Sequence, residues 1–304
     1  MALLLLISST DMVQAAAHLP VIETRITRNL PGLNASASYP RTGMKAIDRI
    51  LETYARRQLA QVDPPDDDDR AHGARYSLGV SYDVARNDDR MFIVTFTVSS
   101  DLGGMHPNTS QASFDFLLPD GAQVFLPEIL DGRRGLEQVS NLAIAQLART
   151  LHIAPGTPED AVLRGGAAAH AENYAVFEWR PAELRFLFPA MQVASYADGA
   201  QTVKIPRDAL KGFLRPDWRA PAASFDCAKA AGAMERAICS DAGLARLDRQ
   251  VAEAYGARLR DAGAAAKQRD VADQRDWLTL RDKTCSADPA CLIRLYRTRL
   301  AAFN

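Results

Sequence analysis

The residues that could do chemistry in this chain are few and widely spaced. No two histidines stand four residues apart and no H-E-x-x-H pattern occurs, so a helical zinc site is not indicated. The sequence also has no G-x-S-x-G nucleophile elbow and no P-loop. It therefore predicts a protein without catalytic residues, metal or cofactor. The five histidines are His18, His72, His106, His152 and His170.

His106 is the histidine in the most unusual surroundings, since two glycines shortly before it allow a tight turn or a close backbone approach. A structural turn with a hydrogen-bonded histidine is the ordinary interpretation, and a loop that contacts a ligand or partner is the functional one. The candidate binding residues are Gly103, Gly104, Met105, His106, Pro107 and Asn108.

Two groups of carboxylates also need an interpretation. Glu178 and Glu183 could form the acid pair of a glycosidase, but their spacing in sequence says nothing about their separation in space. The four aspartates at 66–69 lack the alternating ligands and the glycine turn of a calcium loop. We interpret them as a solvated acidic loop.

All four cysteines lie near the end of the chain, after 226 residues without one. They have no C-x-x-C spacing and no neighbouring histidine, so disulfides are favoured over zinc. The local pairs Cys227–Cys239 and Cys285–Cys291 are preferred. The alternative pairs Cys239 with Cys285 and leaves Cys227 for Cys291, because an antiparallel helical hairpin brings the start of its first helix beside the end of its second.

Disulfides require an oxidising compartment, and the start of the chain is consistent with one. Residues 2–8 are apolar and residues 15–17 are three alanines, which resembles a secretory signal peptide over residues 1–17, although a basic start is missing. No later run reaches 18 apolar residues. We expect a soluble periplasmic or secreted protein.

The elements that must position these residues follow from periodicity. The fold class is α+β: an N-terminal domain of antiparallel sheets with packed helices, then a small disulfide-stapled all-α helical hairpin module. Strands are predicted at 22–30, 34–40, 76–84, 91–98, 113–118, 123–126, 175–179, 184–188 and 203–205. Helices are predicted at 42–59, 136–151, 206–214, 241–263, 264–285 and 289–303.

The expected domains are residues 18–215, with a division into two subdomains near 90–110 as an alternative, a linker at 216–223, and a helical module at 224–304. Charge differs between these parts. Residues 18–220 contain 22 basic and 25 acidic side chains, a net −3, whereas residues 221–304 contain 14 and 11, a net +3. Neither value indicates a nucleic-acid partner.

The longer domain resembles the RsiV-like domain, which also accompanies the peptidoglycan deacetylase PdaC. The residues that carry the resemblance are those at 103–108, the strand at 113–118, and Ala197-Asp198-Gly199 followed by Val203-Lys204-Ile205-Pro206. The deacetylase activity of that relative belongs to another attached domain, so the resemblance implies no enzyme. In RsiV this region binds lysozyme.

The C-terminal module resembles the lysozyme inhibitor LprI-like domain over residues 224–303. The resemblance rests on the four cysteines and on Ser224-Phe225-Asp226, Glu235-Arg236-Ala237-Ile238, Leu247-Asp248, Tyr255, Gln274-Arg275-Asp276-Trp277-Leu278, Arg281-Asp282, Leu292 and Tyr296. Both resemblances imply a cell-envelope protein whose partner is lysozyme.

The leading hypothesis is therefore a non-enzymatic binding protein that engages lysozyme or a related muramidase and blocks its cleft sterically. Many lysozymes are cationic, so the −3 domain with its acidic loop is the preferred docking surface, and the loop at 103–108 is the first candidate for the contact. The alternative is a module that binds peptidoglycan or another wall glycan through exposed aromatics such as Trp179 and Trp218.

Overall fold

The first strands of the chain form a six-stranded sheet in a computed structural model that describes residues 18–104, 106–215, 218–219 and 223–303. The predicted signal peptide lies outside these residues. Strand order in the sheet follows chain order. The strands are β1 (Ile22–Leu30), β2 (Leu33–Arg41), β3 (Tyr76–Asn87), β4 (Met91–Asp101), β5 (Asn108–Leu117) and β6 (Ala122–Val124).

One pair of neighbours, β2 and β3, is parallel, so the expectation of a purely antiparallel sheet is wrong there and the sheet is mixed. Helix α1 (Lys45–Ala60) connects the two strands and returns the chain to the same end of the sheet. Parallel neighbours need such a crossover. The apolar stripe of α1 is buried against the sheet, at Ile47, Leu51, Ala55 and Leu59.

The aspartate run contains a short helix, α2 (Asp67–Ala71), instead of the predicted loop. The carboxylate of Asp66 accepts a hydrogen bond from the backbone N–H of Asp69 at 2.8 Å and caps the helix. Aspartates in a first helical turn also complement the helix dipole. Their side chains remain exposed, as predicted for a solvated acidic segment.

A second, three-stranded antiparallel sheet contains β7 (Phe177–Trp179), β8 (Glu183–Phe188) and β9 (Gln201–Pro206). Three helices precede it, namely α3 (Leu126–Ile129), α4 (Gly132–Thr150) and α5 (Pro158–Gly166). The long helix α4 buries its apolar side chains in the same core as the strands, at Val139, Ala143 and Leu147.

Strand β4 is buried on both faces and belongs to two cores. Met91 and Ile93 pack into the core around the second sheet, whereas Phe92, Val94 and Phe96 pack into the core under α1. Successive side chains of a strand point to opposite faces, so β4 separates the two cores. The two cores therefore share β4, which lies within residues 90–110; a division into subdomains there stays a prediction.

The prediction of a helix from Pro206 to Leu214 is wrong. One 3-10 turn covers Arg207–Leu210, and Gly212 then adopts a positive φ of 81°. The following residues pair with the segment before α4 instead: the N–H of Asp131 donates to the carbonyl of Phe213 at 2.9 Å, and the N–H of Arg215 donates to the carbonyl of Ile129 at 2.8 Å. These long-range bonds take the backbone groups that a helix would use.

The C-terminal module is helical, as predicted, with a short helix, α6 (Ala233–Ser240), before the predicted three. The others are α7 (Ala242–Asp261), α8 (Ala264–Cys285) and α9 (Pro289–Ala302). Asp241 caps α7, because its carboxylate accepts from the N–H of Leu244 at 2.9 Å. The buried core includes Leu244, Leu247, Val251, Trp277, Leu292, Tyr296 and Leu300.

The two disulfides join the local pairs, Cys227 with Cys239 and Cys285 with Cys291. The first ties a 3-10 turn to the last turn of α6, and the second ties the end of α8 to the first turn of α9. The alternative pairing is not the one formed. Each bridge thus fixes a connection between neighbouring elements rather than joining distant helices.

Candidate functional site

The loop at 103–108 connects β4 and β5, and its described residues are exposed; Met105 lies outside the described residues. Gly103 has a positive φ of 77°, a conformation that suits glycine. A Cβ added there would lie 3.1 Å from the ring of Tyr76. The backbone at this end of the sheet therefore needs glycine, as the sequence suggested.

The ring of His106 stacks on the ring of Tyr196, with 4.1 Å between the centroids and 23° between the planes. The hydroxyl of Tyr196 donates to the carbonyl of Pro107 at 3.3 Å. Tyr196 directly precedes Ala197-Asp198-Gly199, so the fold brings together two motifs that lie about 90 residues apart. The sequence analysis identified both motifs but did not single out Tyr196. The available signal was that an aromatic residue directly precedes the second motif.

The turn that carries Tyr196 is itself held rigidly. The side chain of Asp198 accepts from the N–H of Ser195 at 3.1 Å and from its hydroxyl at 2.6 Å, which closes a capping box. Tyr196 nevertheless remains 46% exposed, and Leu102 on the neighbouring loop is 42% exposed. We name Leu102, His106 and Tyr196 the loop patch. It offers aromatic and apolar surface beside a hydrogen-bonded turn, which suits binding rather than a chemical step.

The carboxylate pair considered for a glycosidase has a structural role. Glu178 is buried, accepts from the hydroxyl of Thr95 at 2.7 Å and forms an ion pair with Arg180 at 2.6 Å. Arg185 lies 3.8 Å from Glu178 and 2.6 Å from Glu183, so a guanidinium joins the two acids. These contacts engage both carboxylates in hydrogen bonds and ion pairs of the second sheet and its neighbour β4.

Trp179 and Trp218 are not exposed, contrary to the expectation that they could stack on a glycan. Their exposed fractions are 1% and 5%, and their rings pack edge to face with centroids 5.2 Å apart. The guanidinium of Arg219 lies 4.5 Å from the ring of Trp218. Large aromatic side chains gain most by such burial, so this pair belongs to the core.

The signature residues of the helical module form its internal framework. The hydroxyl of Tyr296 donates to Asp248 at 2.8 Å and accepts from Arg281 at 2.8 Å, and Trp277 packs edge to face on the Tyr296 ring. Asp248 also accepts from the hydroxyl of Ser224 at 2.6 Å. Burial and the nearby Asp248 carboxylate raise the pKa of Tyr296. These residues identify the module because they hold its helices together.

The module docks on the preceding domain through buried charges. Glu128 of α3 is 1% exposed and pairs with Arg246 of α7 at 3.3 Å and with Arg297 of α9 at 3.4 Å. The amide of Gln250 donates to the Glu128 carbonyl at 2.8 Å, and Arg297 covers the ring of Phe125. Sequence reasoning missed this junction, because a lone glutamate in an apolar segment gives no signal of its partners.

No group of three or more metal-ligating side chains is placed to hold an ion in the part of the chain that the structure describes. Within the same ranges, no helix is long and apolar enough to cross a membrane.

Two family models match this chain. The family described as "Protein of unknown function (DUF3298)" matches residues 124–208, and the family "Lysozyme inhibitor LprI" matches residues 227–303. The chain therefore carries a DUF3298 domain followed by an LprI domain, the architecture that the sequence motifs indicated. The DUF3298 match begins at the end of the first sheet and covers the second one.

A curated relative is Peptidoglycan-N-acetylmuramic acid deacetylase PdaC of Bacillus subtilis, 24% identical over 188 residues, which are 61% of this chain and 40% of that enzyme. The chain thus spans less than half of the enzyme's length. Solved DUF3298 family structures from Bacteroides fragilis and Pseudomonas aeruginosa are 15% and 14% identical. Each covers 67% of this chain, with 96% and 97% of their own length matched, at TM-scores of 0.48 and 0.47. Likenesses at this level carry no information on function.

Proposed function

We propose that this chain is a periplasmic or secreted, non-enzymatic binding protein that engages lysozyme or a related muramidase. The match of residues 227–303 to the LprI family supports the class of partner. The two disulfides support an oxidising compartment. The same binding would inhibit the partner sterically, since a bound loop excludes substrate from a cleft without any chemical step.

The loop patch is the proposed contact surface, and the stacked pair His106 and Tyr196 is the observation that carries this choice. Aromatic side chains that already stack on each other lose little conformational entropy on binding. The signature residues of the helical module, by contrast, are occupied with one another. Residues 221–304 carry a net charge of +3 and would repel a cationic partner. The domain with a net charge of −3, which presents the loop patch, would attract it.

Inhibition of lysozyme by purified residues 18–304 tests this function. We expect the native chain to slow lysis of a bacterial cell suspension and to bind the enzyme in calorimetry. His106→Ala combined with Tyr196→Ala should weaken binding at least tenfold, the loss expected for a hot-spot residue. His72→Ala changes an exposed histidine directly after the acidic helix α2; it is the control and should bind normally. Full lytic activity at large molar excess, with no binding heat, would refute the proposal.

A wall-glycan module is the second candidate, supported by the similarity to PdaC, which is named as a peptidoglycan deacetylase. Burial of Trp179 and Trp218 removes the aromatic platform first considered for it. Pull-down with insoluble peptidoglycan separates the two functions. If the protein stays in the pellet at high salt and the loop patch variant does not, the glycan function is favoured. If the native protein stays in the supernatant, the lysozyme function is favoured.

A further inference from the structure

A groove of about 830 Å³ lies between α1 of the first domain and α7 and α9 of the helical module. Its volume falls in the range of small-molecule sites, which often occupy domain junctions. One wall is the outer face of α1, the other is the first half of α9, and the rings of Tyr54, Phe114 and Phe125 lie between them. The groove is separate from the loop patch.

Four arginines line this groove, and three of them have free guanidinium groups. Arg49 and Arg57 belong to α1, and Arg294 belongs to α9; all three are exposed. Within the described ranges, none of these three guanidiniums takes part in an ion pair or hydrogen bond. The fourth, Arg297, is held by Glu128 and the Phe125 ring. Cationic groups therefore face the groove from both walls.

Within the described residues, the two acidic side chains of the groove form no ion pair with these arginines. Asp120 accepts from the N–H of Ala122 at 3.0 Å within the β5–β6 turn, and Asp241 accepts from the N–H of Leu244 as the cap of α7. Both carboxylates are engaged by the backbone. Since Arg297 is paired with Glu128, the other three guanidiniums against two carboxylates leave an excess of one positive charge next to aromatic surface.

We propose that this groove binds a small polyanion, a molecule that carries at least two carboxylate or phosphate groups. The planar guanidinium fork matches either group with two hydrogen bonds. A ligand that reaches Arg49 or Arg57 on one wall and Arg294 on the other bridges the two domains. Its binding therefore stabilises the docking of the helical module, independently of any lysozyme partner.

Calorimetric titration of the full chain with citrate and with pyrophosphate at low ionic strength tests this site. We expect at least one probe to bind and to raise the melting temperature; a preference for citrate assigns carboxylates and a preference for pyrophosphate assigns phosphates. Arg49→Gln combined with Arg294→Gln should weaken binding at least tenfold. Arg75→Gln combined with Arg269→Gln removes the same charge from exposed positions outside the groove and should bind normally.

Three results would overturn the proposal: no heat with either probe, unchanged affinity in the groove variant, or equal weakening in both variants, which indicates unspecific attraction. All four substituted arginines are exposed, and far-UV circular dichroism verifies that each variant is folded. Lysozyme inhibition by the groove variant is measured separately and should equal that of the native chain.

Discussion

Replacing Glu128 with leucine is the perturbation that tests the domain junction most directly. Glu128 and Arg246 are 1% and 0% exposed, and Arg297 contacts the same carboxylate. Without the carboxylate, the Arg246 guanidinium stays buried with no counter-charge. Breaking a buried ion pair by removing one partner costs about 3–5 kcal/mol. We expect a loss of that size in the free energy of unfolding.

Two further variants distinguish the loss of the ion pair from a packing defect as the cause of the lower free energy of unfolding. Glu128→Leu with Arg246→Met replaces these two charges by apolar groups of similar volume and should recover part of the loss, because such exchanges are often neutral, while Arg297 still lacks its partner. Glu137→Leu removes the exposed partner of Arg133 at 2.7 Å and should cost less than about 1 kcal/mol.

Equilibrium denaturation followed by circular dichroism at pH 7 measures these three variants and the single variant Arg246→Met against the native chain. The reasoning is refuted if Glu128→Leu stays within about 1 kcal/mol of the native chain. It is also refuted if the double variant loses as much as the two single changes together, since the charges would then act independently.

The remaining predictions concern cross-links, a close backbone approach and a buried acid. Reduction of each disulfide should destabilise the helical module by roughly 2–4 kcal/mol; an unchanged melting transition after verified reduction would contradict this. Gly166→Ala should cost about 1–3 kcal/mol, because its Cβ collides with the backbone carbonyl of Gln192, whereas Gly165→Ala meets nothing and should be tolerated. Equal melting temperatures of these two variants would argue against the packing described. Burial raises the pKa of Asp115 well above its usual value. The stability that its protonation provides is complete below about pH 4 and is lost as the pH rises through the raised pKa. Asp115→Asn can still accept from the N–H of Trp179 and should remove this loss; parallel pH profiles of stability would disprove it.

Much of the candidate site was visible in sequence as separate pieces. The loop at 103–108 and the residues at 197–199 stood out because glycine and turn residues have local requirements. Their contact through His106 and Tyr196 was not visible, because it joins elements about 90 residues apart. The two tryptophans show the same limit, since nothing local distinguishes a buried Trp179 from an exposed one.

The sequence by itself determined the local features of this protein, namely the hairpins and the amphipathic helices, whereas the choice between the two disulfide pairings came from the structure. Alternation and 3.6-residue periodicity suffice for these. Tertiary structure decided the parallel pairing of β2 and β3, the 3-10 turn that replaces the predicted helix after Pro206, and the charged junction at Glu128. Each of these depends on which distant groups satisfy buried hydrogen bonds and charges, and that choice is settled only when the whole chain packs.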